Sequence, residues 1–236
     1  MHVVNNLFEA ITFTTYGYKK YTENLLKSIS INNVDLDIKV YSLDKESKEY
    51  FKNFHNNLST LDSKLDYSEF MDQKNSKFGE LMYKKFDCIY QSLVNNDYVL
   101  YVDSDITIKK NIKDYLLKNI TNKDILFQND KNPKKPNQIN VCAGFMFIRS
   151  NKKTLKFFNP DNVPIDKIVK FRTHDQTYIN KSLVKFNYGV LPLIEFPNGP
   201  YFYENYSKIN PAMIHFNFVL GDEKIARMKK YGEWYL

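Results

Sequence analysis

Cysteine, glycine and proline are scarce in this chain of 236 residues, which contains 2 Cys, 7 Gly and 8 Pro. So little glycine and proline excludes a collagen-like or low-complexity chain. The two cysteines, Cys88 and Cys142, lack the close spacing of a zinc site. We expect them to pack as small apolar residues in a reducing compartment rather than to form a disulfide.

Long hydrophobic runs are absent as well. No apolar run approaches the roughly 18 residues that a membrane-spanning helix needs, and the first residues lack the basic and then apolar pattern of a secretory signal. The sequence therefore predicts a cytoplasmic protein without a transmembrane segment, and it leaves peripheral membrane contact open.

Acidic residues are outnumbered, with 27 Asp and Glu against 34 Lys and Arg and a net charge of +7. Such an excess either reflects an ordinary solvated surface or attracts polyanions such as nucleotide diphosphates, anionic membranes or nucleic acid. The basic residues are scattered in pairs such as Lys19-Lys20 and Lys134-Lys135 rather than gathered in one run. We therefore expect no nucleic-acid partner.

What is present is ample core material, 43% hydrophobic and 16% aromatic residues, arranged in strand and helix patterns. Residues 10–15 predict a strand, 21–31 a helix and 37–43 a second strand, a succession that favours a parallel sheet in an α/β fold. Residues 45–78 carry no clear pattern. Further helices are predicted over 80–94, 112–119 and 173–183, and further strands over 97–102, 124–128, 142–148, 188–193 and 213–217. No repeat or linker divides the chain, which predicts one domain.

The most informative segment is 97–105, where the apolar run Tyr98–Val102 ends at Asp103, Ser104 and Asp105. The run is rich in β-branched and aromatic residues and predicts a buried strand. Because side chains alternate along a strand, the two carboxylates share one face. They are either solvated turn residues or oxygen ligands at the carboxyl edge of the sheet, where open α/β sheets bind ligands.

Two chemistries fit such a pair. In the first, it holds Mn²⁺ or Mg²⁺, which offsets charge on a departing nucleotide diphosphate. In the second, Asp103 is a nucleophile that forms an aspartyl-phosphate, with Asp105 as its acid–base partner. Residues 103–107 do resemble the first motif of haloacid-dehalogenase phosphatases, but that family places the motif near the start of its catalytic domain. About a hundred residues precede it here, so the phosphatase is the alternative hypothesis.

Two later segments add candidate ligands. His215 lies in an apolar run and precedes Gly221 and Lys224. It is either a core histidine or a third metal ligand, and a glycine backbone with a lysine ammonium suits a diphosphate. At the predicted helix over 173–183, Thr173 could cap the helix and Asp175 favour its dipole. Alternatively, Asp175 and Gln176 lie at a sugar-binding end of that helix.

Taken together, these residues resemble nucleotide-diphospho-sugar transferases of the GT-A fold, especially metal-dependent families with a DxD motif and a late histidine and lysine. The likeness runs in order through 14–16, Asp44, Lys85, 103–105, 140–146, 175–176, 215–224 and Trp234. It implies a Rossmann-like α/β fold in a single domain, 1–236, with a mixed, mainly parallel central sheet flanked by helices. Residues 1–105 would form the nucleotide-binding half and 106–236 the sugar and acceptor half.

The resemblance also implies roles for individual residues. The metal, Mn²⁺ or Mg²⁺, would be held by Asp103, Asp105 and His215. The base and ribose pocket would be lined by Thr14, Thr15, Tyr16 and Asp44. The remaining donor contacts would come from Ser104, from Gly221 and Lys224 at the diphosphate, and from Lys85, Gly144, Asp175 and Gln176 at the sugar. Thr14–Tyr16 replace an acidic pair that some relatives carry.

The implied activity is metal-dependent transfer of a sugar from a nucleotide-diphosphate donor, with UDP favoured, to a glycan or other hydroxyl acceptor. Asp175 and Gln176 are the candidate catalytic residues. In an inverting enzyme Asp175 would deprotonate the acceptor; in a retaining enzyme, which the resemblance mildly favours, Gln176 or Asp175 would lie beneath the sugar. Segments 129–140 and 196–206 are candidates for contacting the acceptor. A non-catalytic nucleotide-sugar or glycan-binding module is a further alternative.

Overall fold

Runs of β-branched and aromatic residues form the strands of a central sheet in the computed structural model, which describes residues 7–61, 69–71, 78–131, 139–164 and 174–236. Seven of the described strands make this sheet, in the order β3-β2-β1-β4-β7-β6-β8. Their bounds are β1 (Phe8–Thr14), β2 (Ile38–Ser42), β3 (Leu58–Thr60), β4 (Tyr98–Val102), β6 (Ile125–Asn129), β7 (Val141–Arg149) and β8 (Tyr188–Leu191).

The strand directions confirm the predicted mixed, mainly parallel sheet. Strand β1 pairs in parallel with β2 and β4, so that Ala10 lies between Ile38 and Leu100. Only β7 among these seven strands runs against its neighbours, pairing antiparallel with β4 and with β6. The carboxyl ends of β1, β2 and β4 therefore lie at one edge, where the predicted motif follows β4.

Helices cover both faces of the sheet. Because side chains alternate along β4, Val99 and Tyr101 pack into one apolar cluster with Phe86, while Leu100 and Val102 pack into another with Leu25. The helices of the described residues are α1 (Lys19–Ile31), α2 (Lys45–Lys52), α3 (Phe78–Leu93), α4 (Lys113–Ile120), α5 (Lys152–Phe158), α6 (Asp175–Ser182), α7 (Gly199–Asn205) and α8 (Gly221–Lys230). Short 3-10 helices lie at Tyr16–Tyr18, Pro160–Asn162 and Leu183–Lys185.

A second, two-stranded sheet positions the histidine. Strands β5 (Ile106–Ile108) and β9 (Met213–His215) pair antiparallel, with Ile106 opposite His215. Because β5 begins directly after Asp105, this pairing brings the carboxyl-terminal third of the chain against the motif that follows β4.

Several elements differ from the sequence prediction. Helix α2 and strand β3 lie within 45–78, where no pattern predicted them, and α5 and α7 were not predicted either. Thr173, the predicted cap, and most of the predicted loop over 129–140 lie outside the described residues; α6 begins at Asp175, after His174 at its N-cap position. Across the described parts of the chain, no helix is both long and apolar enough to cross a membrane.

Candidate active site

A cavity of about 890 Å³ opens at the carboxyl edge of the central sheet. It lies where β4, β7 and the β5–β9 pair meet, and α6 and α8 border it. Most of the predicted site residues line it: Lys85, Asp103, Ser104, Asp105, Gly144, Asp175, Gln176, His215, Gly221 and Lys224. Residues that lie more than 100 positions apart in the chain thus face one space.

Three of these residues form a candidate metal centre. Asp103, Asp105 and His215 each present a ligand atom, and these atoms all lie within 4.8 Å of one another. The Tyr101 hydroxyl donates a hydrogen bond to Asp103 Oδ1 at 2.6 Å, which orients that carboxylate. His215 Nε2 lies 3.1 Å from Asp105 Oδ1.

Gly144 leaves room between these ligands. The Asp103 N–H donates to the Gly144 carbonyl at 2.7 Å, which holds β7 against the motif. A Cβ at Gly144 would lie 2.4 Å from Asp103 Oδ2 and 2.6 Å from His215 Cε1, so any side chain there would fill the space. Two carboxylates and an imidazole around such a space are a donor set that suits Mn²⁺, and the residues therefore fit the implied cation.

Two lysines balance the carboxylates. Lys224 Nζ contacts Asp105 Oδ2, while Lys85 Nζ lies 2.6 Å from Asp175 Oδ2 and 3.4 Å from Asp103 Oδ1. Burial alone would raise the pKa of Asp105, but Lys224 and His215 outweigh it and hold that pKa well below its usual range. Burial would lower the pKa of Lys85, yet Asp103 and Asp175 raise it above its usual value.

Gln176 of α6 links β7 to the residue that follows β6. Its Oε1 accepts a hydrogen bond from the Ala143 N–H at 3.2 Å, and its Nε2 donates to Asp130 Oδ2 at 2.8 Å. Asp130 is only 3% exposed, and Asn217 Nδ2 donates to its other oxygen at 2.9 Å. Burial raises the pKa of Asp130 despite these hydrogen bonds.

The family model of nucleotide-diphospho-sugar transferases matches residues 37–228 of this chain. The chain belongs to this family. A UDP-galactose:fucoside alpha-3-galactosyltransferase from Dictyostelium discoideum is 26% identical over an alignment of 283 residues. That alignment covers 96% of this chain but 43% of the relative, so the chain spans less than half of that relative's length.

Solved structures of glycosyltransferases share the fold of this family member. The galactosyltransferase LgtC, solved with donor and acceptor sugar analogues, matches with a TM-score of 0.62 at 11% identity, over 96% of this chain and 94% of that one. The glycosyltransferase GlyE of Streptococcus pneumoniae TIGR4 matches with a TM-score of 0.56 at 16% identity, over 94% of this chain and 60% of that one. The predicted GT-A fold is confirmed, and membership of this family does not favour the phosphatase alternative.

Four predicted donor residues lie apart from the cavity lining. The Thr14 and Thr15 side chains are fully buried, and the Thr22 hydroxyl donates to Thr14 Oγ1 at 2.9 Å. The Tyr16 N–H donates to Asp44 Oδ2 at 2.9 Å, and Asp44 also caps α2. Tyr18 of the same 3-10 helix and Tyr21 of α1 do line the cavity. The base and ribose role of the four residues stays a prediction.

Sequence reasoning missed Gln128, Asp130 and Tyr101. Gln128 and Asp130 stand at the end of a predicted strand and the start of a predicted loop, and Tyr101 looks like an ordinary strand residue. For Gln128 and Asp130 the available signal was the run of polar residues 128–130 after the apolar residues 125–127, because polar groups after a buried strand lie at the sheet edge.

Proposed function

We propose that this transferase moves a sugar from a UDP-linked donor to a hydroxyl group of a glycan acceptor, with a divalent cation held by Asp103, Asp105 and His215. The observation that carries the proposal is that these three ligands and Lys224 converge on one cavity in a nucleotide-diphospho-sugar transferase. A Mn²⁺ or Mg²⁺ ion bound there would neutralise charge that develops on the diphosphate as the sugar–phosphate bond breaks.

The start of α8 is the proposed diphosphate site. Gly221 has a left-handed φ of 54°, which a glycine adopts without steric cost and which turns the chain into the helix. The free N–H groups at a helix start, together with the Lys224 ammonium, attract phosphate oxygens. The Tyr21 hydroxyl donates to the Gly221 carbonyl at 3.2 Å and so fastens this turn to α1.

At the sugar-binding end we propose retention of the anomeric configuration. The Asp175 side chain is 8% exposed, and its Oδ2 is engaged by the buried Lys85 ammonium at 2.6 Å. A carboxylate held this way is poorly placed to take a proton from an acceptor hydroxyl, as inversion would require. Asp175 and Lys85 would instead orient sugar hydroxyls, and Gln176 would lie beneath the sugar.

The donor to test first is UDP-galactose, because the Dictyostelium discoideum relative is named for it. Purified protein is incubated with UDP-galactose, UDP-glucose, UDP-N-acetylglucosamine or GDP-mannose in Mn²⁺, and the released nucleotide diphosphate is measured. We expect Mn²⁺-dependent release from one UDP-sugar and its loss in Asp105→Asn. Asp114→Asn, an exposed carboxylate in the first turn of α4, is the matched control and should keep the rate.

Other outcomes identify the alternatives. Mn²⁺-dependent binding of UDP-sugars without release, even with a library of glycan acceptors, would indicate a non-catalytic binding module. Phosphate release from small phosphomonoesters with covalent phosphate on Asp103 would indicate a phosphatase. The absence of both nucleotide release and a thermal shift with every nucleotide tested would refute the transferase. The anomeric configuration of the product, measured by NMR, tests retention.

A further inference from the structure

We infer that Gln128 is a positioning residue that keeps a hydrogen on His215 Nδ1 and thereby leaves Nε2, which faces the motif carboxylates, as the ring nitrogen that a cation can use. The link to metal binding rests on the proposed function, whereas the tautomer itself does not. Gln128 is fully buried in β6, at a position that no part of the sequence analysis selected.

The orientation of the Gln128 amide follows from its partners. Its Nε2 donates hydrogen bonds to the Pro197 carbonyl at 2.9 Å and to the Phe196 carbonyl at 3.3 Å. Carbonyl oxygens only accept hydrogen bonds, so the amino group of the amide must face them. The remaining atom, Oε1, then faces His215 Nδ1 at 2.7 Å.

This orientation decides the tautomer of the imidazole. An amide oxygen has no proton to donate, so His215 Nδ1 must carry the hydrogen. Nε2 is then the ring nitrogen that faces the candidate metal centre, 3.1 Å from Asp105 Oδ1: it donates to that oxygen when it carries a hydrogen, and it offers a cation its lone pair when it does not. With the opposite tautomer, a lone pair on Nδ1 would face the lone pairs of Gln128 Oε1.

The backbone reinforces the arrangement. The Pro197 carbonyl that accepts from Gln128 also accepts from the His215 N–H at 3.3 Å, so amide, carbonyl and histidine form a closed ring of contacts. A register shift between Phe127 and Gln128 brings Gln128 opposite Cys142 of β7. Cys142 Sγ lies 3.6 Å from His215 Nδ1, and a thiol is too weak a partner to override the amide.

The first test reads the tautomer directly, without metal or donor. The chain has 4 His, so long-range ¹⁵N–¹H NMR spectra at mildly alkaline pH are simple, and a His215→Asn spectrum assigns the resonance. Wild type should show His215 protonated at Nδ1. Gln128→Met, which is similar in size but offers no comparable acceptor, should show mixed tautomers or the Nε2–H form.

The second test uses Mn²⁺ alone, followed by electron paramagnetic resonance. Loss of an outer partner of a metal-binding histidine typically weakens metal affinity about 10- to 100-fold, and we expect that loss in Gln128→Met. Gln128→Glu keeps the acceptor but loses both donors to Phe196 and Pro197, so it should hold Mn²⁺ within a few-fold of wild type. Both variants should unfold at lower temperature, whereas exposed Gln91→Met should change nothing.

A merely structural role for Gln128 would lower Mn²⁺ affinity in step with thermal stability in both variants, which would overturn the inference. If Gln128→Glu does not fold, the NMR spectrum of Gln128→Met tests the inference alone. A His215 that stays protonated at Nδ1 in that variant overturns it. If wild type fails to bind Mn²⁺ while Gln128→Met still shifts the tautomer, the proposed metal function fails and the positioning role stands.

Discussion

At the scale of single residues, each carboxylate of the motif already has a lysine beside it. Lys224 contacts Asp105 Oδ2, an oxygen that a cation at this centre could use, and Lys85 lies 3.4 Å from Asp103 Oδ1. An incoming cation therefore competes with Lys224, whereas an incoming diphosphate offers that ammonium a new partner. This contact couples the proposed metal and donor sites.

Lys224→Met tests that coupling. Removing the ammonium frees Asp105, so we expect Mn²⁺ to bind several-fold more tightly in the absence of nucleotide. The same variant loses a charge-assisted contact to the diphosphate and should bind UDP at least about 10-fold more weakly. Titration calorimetry with each ligand measures both changes. Lys229→Met, exposed on the same helix, is the control, and a parallel loss of both affinities in Lys224→Met would contradict the coupling.

Gly144→Ala tests whether the space between the ligands is needed. The added methyl would meet Asp103 Oδ2 and His215 Cε1 at less than 3 Å, and both side chains would have to move. We expect Mn²⁺ affinity to fall at least about 10-fold, with smaller losses of stability because the clashing atoms are movable side chains. In Gly79→Ala, where nothing lies within 4 Å of the new methyl, metal affinity should not change. Unchanged Mn²⁺ binding in Gly144→Ala would place the metal elsewhere.

The sequence could predict Asp103, Asp105 and His215 because two carboxylates after an apolar strand and a histidine in an apolar run are local patterns. It could place Gln128 near the sheet edge but could not show that its side chain faces His215, because that direction depends on the register shift between β6 and β7. Nor could it show that Thr14 and Thr15 turn inward, since burial of a hydroxyl at a strand end is set by the helix that packs over it.

At the scale of elements, the carboxyl-terminal segment after α8 is tied to the rest of the chain by buried polar contacts. Glu233 is 4% exposed, and it accepts hydrogen bonds from Lys109 Nζ at 2.5 Å and from the Thr107 hydroxyl at 3.0 Å. Asn24 of α1 donates to the Glu233 carbonyl at 3.0 Å and accepts from the Tyr235 N–H at 2.7 Å. These contacts hold α8, and with it Lys224, beside the motif.

Glu233→Gln should lower the free energy of unfolding by about 1–3 kcal/mol, because it removes a buried charge partner of Lys109 and leaves an amide among donors. Urea unfolding measures the change. Glu223→Gln is the matched control: its side chain is 61% exposed beside Arg227, so the loss should stay within about 0.5 kcal/mol. Equal losses in the two variants would show that the buried contacts do not anchor this segment.

The pH dependence gives an independent check of the same contact. Burial would lower the pKa of Lys109, but Glu233 outweighs it and raises that pKa. A raised folded pKa means that the stabilisation is complete below the unfolded value of about 10.4 and is lost as pH rises through the folded value. The stability difference between wild type and Glu233→Gln should therefore hold from neutral pH to about pH 10 and shrink above it.

The elements that the sequence predicted share strong periodicity, as in α1, α3, β4 and β7. Helix α2 was not predicted because it buries only Ser47 and Phe51, so its sequence shows little of the apolar spacing typical of a helix. Its start was signalled instead by the cap, since Asp44 accepts from the Ser47 N–H at 2.7 Å. Helix α5 likewise begins with a capping box between Asn151 and Thr154. The β5–β9 pairing is beyond local pattern because its strands lie more than 100 residues apart.

At the scale of the whole molecule, the cavity joins both halves of the chain. Asp103 and Asp105 come from the first half, whereas His215, Gly221 and Lys224 come from the second, and only the folded chain brings them together. A ligand that contacts both groups should therefore stabilise the native state, since the unfolded chain offers no such site.

The expected ligand effect follows from that convergence. At about 100 times its Kd, a ligand of the native state adds about 2.7 kcal/mol, which for a chain of this size raises Tm by about 5–10 °C. We expect UDP with Mn²⁺ to give such a shift in a thermal unfolding scan. UMP should give a smaller shift, because it lacks the second phosphate for Lys224 and the cation.

Chelation of the metal, or Asp105→Asn, should remove most of the UDP effect, whereas Asp114→Asn should keep it. A UDP shift that persists undiminished in excess chelator would mean that nucleotide binding does not depend on the cation.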